Sequence, residues 1–248
     1  MTHASASEPV VSLRDLRFTW PKRTAPVLDI EKLQAERGEQ LFLMGPSGSG
    51  KTTLLGILGG IIRPQQGKVA VLGENIASLG RAAGDRFRAD HIGFIFQMFN
   101  LIPYLSVIEN VTLPCHFSRS RKETALRQSP DLGKEALRLL GHLRLDDPTL
   151  INKPVVELSV GQQQRVAAAR ALIGSPELLI ADEPTSSLDS DHREAFIRLL
   201  FEECALAGTT LIFVSHDTSL AGLFHRTVKL QELNKAAAGR ENLQGGGL

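Results

Sequence analysis

Cysteine is scarce in this chain of 248 residues: there are 2, Cys115 and Cys204, far apart and outside any C-x-x-C spacing. That excludes a disulfide framework and a cysteine-ligated zinc site, and it fits a reducing cytoplasm. A charge imbalance is missing too. The formal net charge is +1, so no general attraction to nucleic acid or to anionic membrane is expected. No apolar run approaches the roughly 20 residues of a membrane helix. Any work at a membrane therefore needs a partner. The opening stretch from Met1 to Pro9 is small and polar, without the apolar core of a signal peptide. Hydrophobic residues at 42% and charged residues at 22% are an ordinary soluble composition. The length suits one large domain, or a domain with a small subdomain. No internal repeat is visible.

What is present is concentrated in short stretches. Gly45, Pro46, Ser47, Gly48, Ser49, Gly50, Lys51, Thr52 and Thr53 match G-x-x-x-x-G-K-[ST], the phosphate-binding loop. The run follows the apolar Leu41–Met44 and opens a helix-like run from Thr52 to Leu58. That strand-loop-helix setting is the one the motif requires. Glycines let backbone N–H groups converge on phosphate oxygens, and the helix N-terminus adds partial positive charge. Lys51 is placed to reach the β- and γ-phosphates, and the Thr52 hydroxyl to hold Mg²⁺.

Around this loop, apolar patterning predicts strands at Val10–Phe18, Val27–Leu33, Gln40–Met44, Lys68–Leu72, His91–Phe96, Leu178–Ala181 and Thr210–Val214. Helices are expected from Ser106, where Ser106 and Glu109 have capping-box spacing, and at Lys134–Leu145, Gly161–Leu172 and Asp191–Ala205. Strands alternating with helices mean an α/β fold with a mostly parallel sheet. The stretch from Cys115 to Pro154, with Pro130 breaking any helix, reads as an inserted helical subdomain. The basic cluster Arg119, Arg121 and Lys122 within it reads as a solvated charged face. The Gly-rich end of the chain reads as a disordered tail.

Two further stretches carry chemistry. Leu178–Ala181 ends in Asp182 and Glu183, and ligands of parallel α/β sheets bind at the carboxyl ends of strands. Asp182 suits Mg²⁺ beside a phosphate loop, and Glu183 suits a general base for the attacking water. Leu158-Ser159-Val160-Gly161-Gln162 opens a helix. The plain reading of Ser159 and Gln162 is a capping box. The sharper reading is a second anion site, with the Ser159 hydroxyl and helix-start N–H groups aimed at a γ-phosphate.

Taken together, these stretches resemble the nucleotide-binding subunit of ATP-binding-cassette (ABC) transporters, over roughly Val11 to Leu230. The signature stretch reads Leu-Ser-Val-Gly-Gln from Leu158, with Val160 in place of the family's common glycine. Asp182-Glu183-Pro184-Thr185 is followed by Ser187-Leu188-Asp189, similar to the D-loop. His216 in Val214-Ser215-His216-Asp217 stands where the family has its switch histidine. Gln97 falls at the Q-loop glutamine, and Trp20 where the family places the aromatic that stacks on adenine. The resemblance implies a P-loop NTPase (RecA-like) core, an N-terminal antiparallel β subdomain and a helical subdomain at about residues 98–172. The domain would span residues 10–232, with residues 233–248 as a disordered tail.

It also implies an ATPase with ATP and Mg²⁺ as cofactors. Glu183, His216 and Gln97 would be catalytic, and Thr52, Gln97 and Asp182 would hold the metal. Trp20, Gly45 to Thr53, Ser159, Gly161, Gln162 and Asp189 would bind nucleotide. Two subunits would pack head to tail, each ATP lying between one subunit's Lys51 loop and the other's Ser159 segment. A separate membrane permease would receive the work, inserting a helix near Met98–Leu105, and no nucleic acid partner is implied. The protein would then be cytoplasmic, held on the inner face of the cell membrane by the permease. Phe99-Asn100-Leu101-Ile102-Pro103, Glu109-Asn110-Val111 and Gly161–Ala167 most resemble the lipoprotein-release and macrolide-exporter type, which turns hydrolysis into mechanical movement. Three rivals share parts of the pattern. One is a regulatory ATPase acting on a cell-wall hydrolase through a permease-like partner. Another is a soluble cassette ATPase, and the third is a small-molecule kinase, which needs neither signature nor switch histidine.

Overall fold

The computed structural model describes residues 8–186, 188 and 190–236, with the backbone alone at 190 and 191. In chain order the elements are β1 (Val11–Phe18), β2 (Leu28–Ala35), β3 (Gln40–Met44), α1 (Lys51–Leu58), β4 (Gln66–Val71) and β5 (Glu74–Asn75). Next come α2 (Arg81–His91), β6 (Ile92–Ile95), α3 (Val107–Thr112), α4 (Pro114–Phe117), α5 (Arg119–Gln128) and α6 (Leu132–His142). The chain continues with α7 (Val160–Leu172), β7 (Leu178–Asp182), α8 (Ser190–Ala207), β8 (Thr210–Ser215), β9 (Arg226–Lys229) and α9 (Leu230–Leu233). They form two compact units, Met1–Gly84 with Ile212–Leu248, and Asp85–Leu211.

The first unit contains the expected antiparallel sheet, in the order β2-β1-β4-β5. β1 and β2 pair from Val11 with Ala35 to Phe18 with Leu28. Their side chains alternate between buried and outward positions, the period-2 pattern of a half-buried sheet, with one interruption in each strand at Arg14-Asp15 and Glu31-Lys32. In the same unit β3 lies between β8 and β9, and pairs with β9 in parallel from Leu41 with Arg226 to Met44 with Lys229. Leu41, Phe42 and Leu43 are wholly buried, as in a strand covered on both faces. Phe42 stacks on Phe224 at 4.9 Å between ring centres, and Phe213 closes the cluster at 5.1 Å from Phe224. Burying such a ring stabilises the fold by about 1.5–3 kcal/mol.

The second unit pairs β6 with β7 in parallel, from Ile92 with Leu178 to Ile95 with Ala181. Helices α3 to α7 form its helical part, and α5 and α6 stop and start on either side of Pro130. Val166, Ala167, Ala168 and Ala169 of α7 are all wholly buried, and four consecutive buried residues mean that the helix is covered all round at its centre. Helix α2 was not legible in the sequence. None of its residues is buried, so it shows no apolar stripe, and Gly84 sits within it. Asp85 and Arg88 hold it one turn apart by an ion pair of 2.7 Å.

Candidate functional site

In the first unit β3 delivers the chain into the phosphate loop, and α1 opens at Lys51. The N-cap is Gly50 at φ 102°, which brings no side-chain cap to the first-turn N–H groups. Gly48 also has positive φ, at 77°. A Cβ on Gly50 would stand 2.8 Å from the Leu28 side chain, so nothing larger fits. Lys51 is 8% exposed, and its Nζ donates to the Gly45 carbonyl at 2.5 Å and the Pro46 carbonyl at 3.0 Å. Ser49 Oγ is buried and meets no hydrogen-bond partner among the described residues. A buried hydroxyl in that position costs free energy unless a ligand atom satisfies it. An orphan hydroxyl, an uncapped helix start and an inward ammonium are the donor set a polyphosphate needs. Thr52 is exposed on the first turn of α1, while Thr53 faces inward.

The same unit carries His216 and Trp20. β8 ends at the buried Ser215 and presents His216 outward. Asp217 N–H donates to Ser215 Oγ at 3.2 Å, and Asp217 Oδ1 caps the following turn by accepting from Ser219 N–H at 3.0 Å. Trp20 sits in the β1–β2 connection, 39% exposed, with its ring edge-on to Phe18 at 5.0 Å. Asn234 is the residue that sequence reading missed here. It lies beyond the expected domain boundary at 232, yet it is 1% exposed and bonded to Val27, Asp29 and Ser49. No spacing in the sequence signals it.

In the second unit β7 ends with Asp182, and Glu183 follows at φ 47°. A left-handed glutamate is a costly backbone state that clusters at functional sites. The parallel register of β6 on β7 brings Gln97 out at the same sheet end as Asp182. Ser159 and Gln162 form the expected capping box: Gln162 N–H donates to Ser159 Oγ at 3.3 Å, and Ser159 N–H donates to Gln162 Oε1 at 2.9 Å. Ser159 and Val160 stay exposed at the head of α7. A Cβ on Gly161 would meet only Leu188, at 3.8 Å, so packing within the unit does not demand glycine there. Beside this helix start lies a cavity of about 420 Å³ lined by Ser159, Gly161, Gln162, Arg144, Arg165 and His192. Asp189, expected to bind nucleotide, lies outside the described residues, as does Ser187 of the same stretch.

A second cavity, of about 480 Å³, opens beside the turn that follows Gln97. Phe94 and Phe96, stacked in nearly parallel planes at 5.4 Å, line it with Leu113, Pro114 and Phe117, and Asp85, Arg88, Arg121 and Arg170 supply its charged part. Met98, Tyr104 and Phe117 are 81, 79 and 74% exposed. The loop between is built rigidly. Phe99 and Asn100 both have left-handed backbone, at φ 58° and 49°. Arg170 on α7 donates to both of their carbonyls, at 2.6 and 2.7 Å. Burial holds the Arg170 pKa below the usual guanidinium value. Asn110, wholly buried, accepts from Ile102 N–H at 2.8 Å and donates to the Ile102 and Leu105 carbonyls.

The reading of Ser118–Glu123 as a solvated face needs correction. Arg119 and Glu123 do form an exposed ion pair at 2.7 Å. Arg121 is 3% exposed. It donates through Nε to the Ile173 carbonyl at 2.8 Å and through Nη2 to the Ala171 carbonyl at 2.7 Å. These are carbonyls that the end of α7 leaves without intrahelical partners, at the negative end of its dipole. Burial lowers the Arg121 pKa to about 10, so the side chain is still charged at neutral pH. The two cysteines are free and buried, and burial pushes Cys204 up to about 12. Among the described residues no helix is long and apolar enough to cross a membrane.

Comparison with known proteins agrees with this geometry. The family of ABC transporters matches residues 28–186. The chain is 41% identical over 218 residues to the lipoprotein-releasing system ATP-binding protein LolD of Syntrophotalea carbinolica, covering 87% of this chain and 91% of that one. It is 40% identical over 239 residues to the LolD of Anaeromyxobacter dehalogenans, covering 96% and 97%. Among solved structures it is similar to the dimeric, post-hydrolysis ATP-binding cassette MJ0796 bound to ADP and Pi. That match has a TM-score of 0.77 and 35% identity, and it covers 92% of this chain and 95% of the cassette. The fold is that of a P-loop NTPase, and the chain belongs to the ABC transporter family as an ATP-binding, ATP-hydrolysing subunit.

Proposed function

We propose that this ATPase drives a separate membrane permease of the lipoprotein-release type, working as a head-to-tail homodimer on the inner face of the cell membrane. The observation that carries the proposal is the largely apolar cavity beside the turn after Gln97, with Phe94, Phe96 and the exposed Phe117 in its wall. An exposed apolar groove on a rigid rim suits an amphipathic helix from a partner. LolD relatives at about 40% identity support the type of partner.

In this reading Mg²⁺·ATP is held by residues 45–53. By the family resemblance, Thr52, Gln97 and Asp182 would hold the metal, which would neutralise phosphate charge. Glu183 takes the proton of the attacking water, and His216 contacts the γ-phosphate side. Trp20 stacks on adenine. The partner protomer's γ-phosphate falls to Ser159, Gly161 and Gln162, and the family resemblance adds Asp189 to the nucleotide-binding residues. Closure needs nucleotide because both protomers bond it, and hydrolysis removes the bridging phosphate. The D-loop and the cross-protomer arrangement come from the family resemblance and from the dimeric state of MJ0796.

Co-expression with a lipoprotein-release-type permease from the same genome tests the groove. The wild-type chain should co-purify with it. Phe117→Glu should lose at least about tenfold in capture, from desolvating a charge in an apolar contact, while its ATP affinity stays the same. Equal capture of Phe117→Glu contradicts the proposal.

A further inference from the structure

Asn234 joins two parts of the first unit that are far apart in sequence. The β1–β2 connection runs from Thr19 to Val27 and carries Trp20. It is closed by Val27 N–H donating to the Phe18 carbonyl at 2.8 Å. Asn234 Nδ2 donates to the Val27 carbonyl at 2.9 Å and to the Ser49 carbonyl, in the phosphate loop, at 3.3 Å. Its Oδ1 accepts from Asp29 N–H at 2.8 Å and Ala236 N–H at 3.2 Å. The partners fix the amide's orientation, because carbonyls need the nitrogen and N–H groups need the oxygen. A buried amide with every partner supplied is a rigid joint. The would-be Gly50 Cβ, 2.8 Å from Leu28 and 3.4 Å from the Val27 carbonyl, shows how closely the phosphate loop lies on this strand start.

We infer that Asn234 is a positioning residue for nucleotide: it sets the span between the Trp20 connection and the phosphate loop, so that one ligand reaches both. ATP has a limited reach from purine to phosphates, so binding both surfaces at once depends on how far apart the protein holds them. The inference rests on the reading of Trp20 as the adenine platform. A ligand that uses the phosphate loop alone should not feel the loss of Asn234.

Calorimetric titration with ATP and with inorganic tripolyphosphate separates the two cases, using the full chain and its Asn234→Ala and Asn234→Ser variants. A serine side chain puts no charge beside the Val27 and Ser49 carbonyls and keeps a hydroxyl for part of the network, so Asn234→Ser serves where Asn234→Ala does not fold. Each variant should weaken ATP by about tenfold, the equivalent of one lost buried hydrogen bond. Tripolyphosphate should stay within about twofold. Equal weakening of both ligands, or of neither, overturns the inference. Trp20→Ala, run alongside, isolates the platform itself. If it alone weakens ATP, stacking stands and Asn234 has no part in it; if it leaves ATP affinity unchanged, the platform reading falls first.

Discussion

Lys51 keeps its ammonium inside the phosphate loop, bonded to the carbonyls of Gly45 and Pro46. Those carbonyls occupy donors that phosphate oxygens would take, and charge-assisted bonds to phosphate are the stronger ones. Lys51→Ala should therefore raise the ATP dissociation constant by about 30-fold or more, about 2 kcal/mol. Equilibrium binding of a fluorescent ATP analogue checks it, and an unchanged constant contradicts the loop's role. The phosphate loop was legible because its nine residues are contiguous and each has a distinct physical task. The places of Asp182, Glu183 and Ser159 could be read for a related reason: an apolar strand end and a helix start are marked by the sequence itself. Asn234 could not be read this way. Its partners Val27, Asp29 and Ser49 lie 185 to 207 residues away, and nothing local distinguishes a buried asparagine from an exposed one. Arg170 and Arg121 were missed on the same ground, since a guanidinium that serves backbone carbonyls leaves no acidic partner to read.

At the scale of elements, α7 is held at both ends by different chemistry. Its head is capped by Ser159 and Gln162. At its tail Arg121 satisfies the Ala171 and Ile173 carbonyls. Gly174 lets the chain pass, because a Cβ there would stand 2.5 Å from the Arg121 carbonyl. Arg170 meanwhile ties the last turn of α7 to the loop after Gln97. Removing Arg121 strands buried carbonyls, so Arg121→Met should cost about 3 kcal/mol of stability. Urea denaturation followed by circular dichroism measures this. A loss below about 0.5 kcal/mol, typical of a surface site, would show that the side chain is not the clamp. Strands and amphipathic helices were read well because burial writes a period into the sequence. Helix α2, without a buried residue, had no period to show. The charge run at Ser118–Glu123 misled because composition does not say which side of α5 faces inward. Alternate exposure of Arg119 and burial of Arg121 is a property of tertiary packing.

For the whole molecule, alternation of strands and helices gave an α/β class, and the family's motifs in order gave the ATPase. Neither could show a second chain. A signature helix whose Ser159, Val160 and Gly161 face outward, with a glycine that local packing does not require, points to a surface completed by another copy. The dimeric MJ0796 cassettes support that reading. Light scattering on the Glu183→Gln chain with saturating Mg²⁺·ATP tests it most directly. A protomer has a mass of 27.0 kDa. The account predicts a species of twice that mass, formed with ATP, absent with ADP, and abolished when Ser159→Glu is added. A chain that stays at the protomer mass with ATP bound, or a dimer that forms as well with Ser159→Glu, would contradict it.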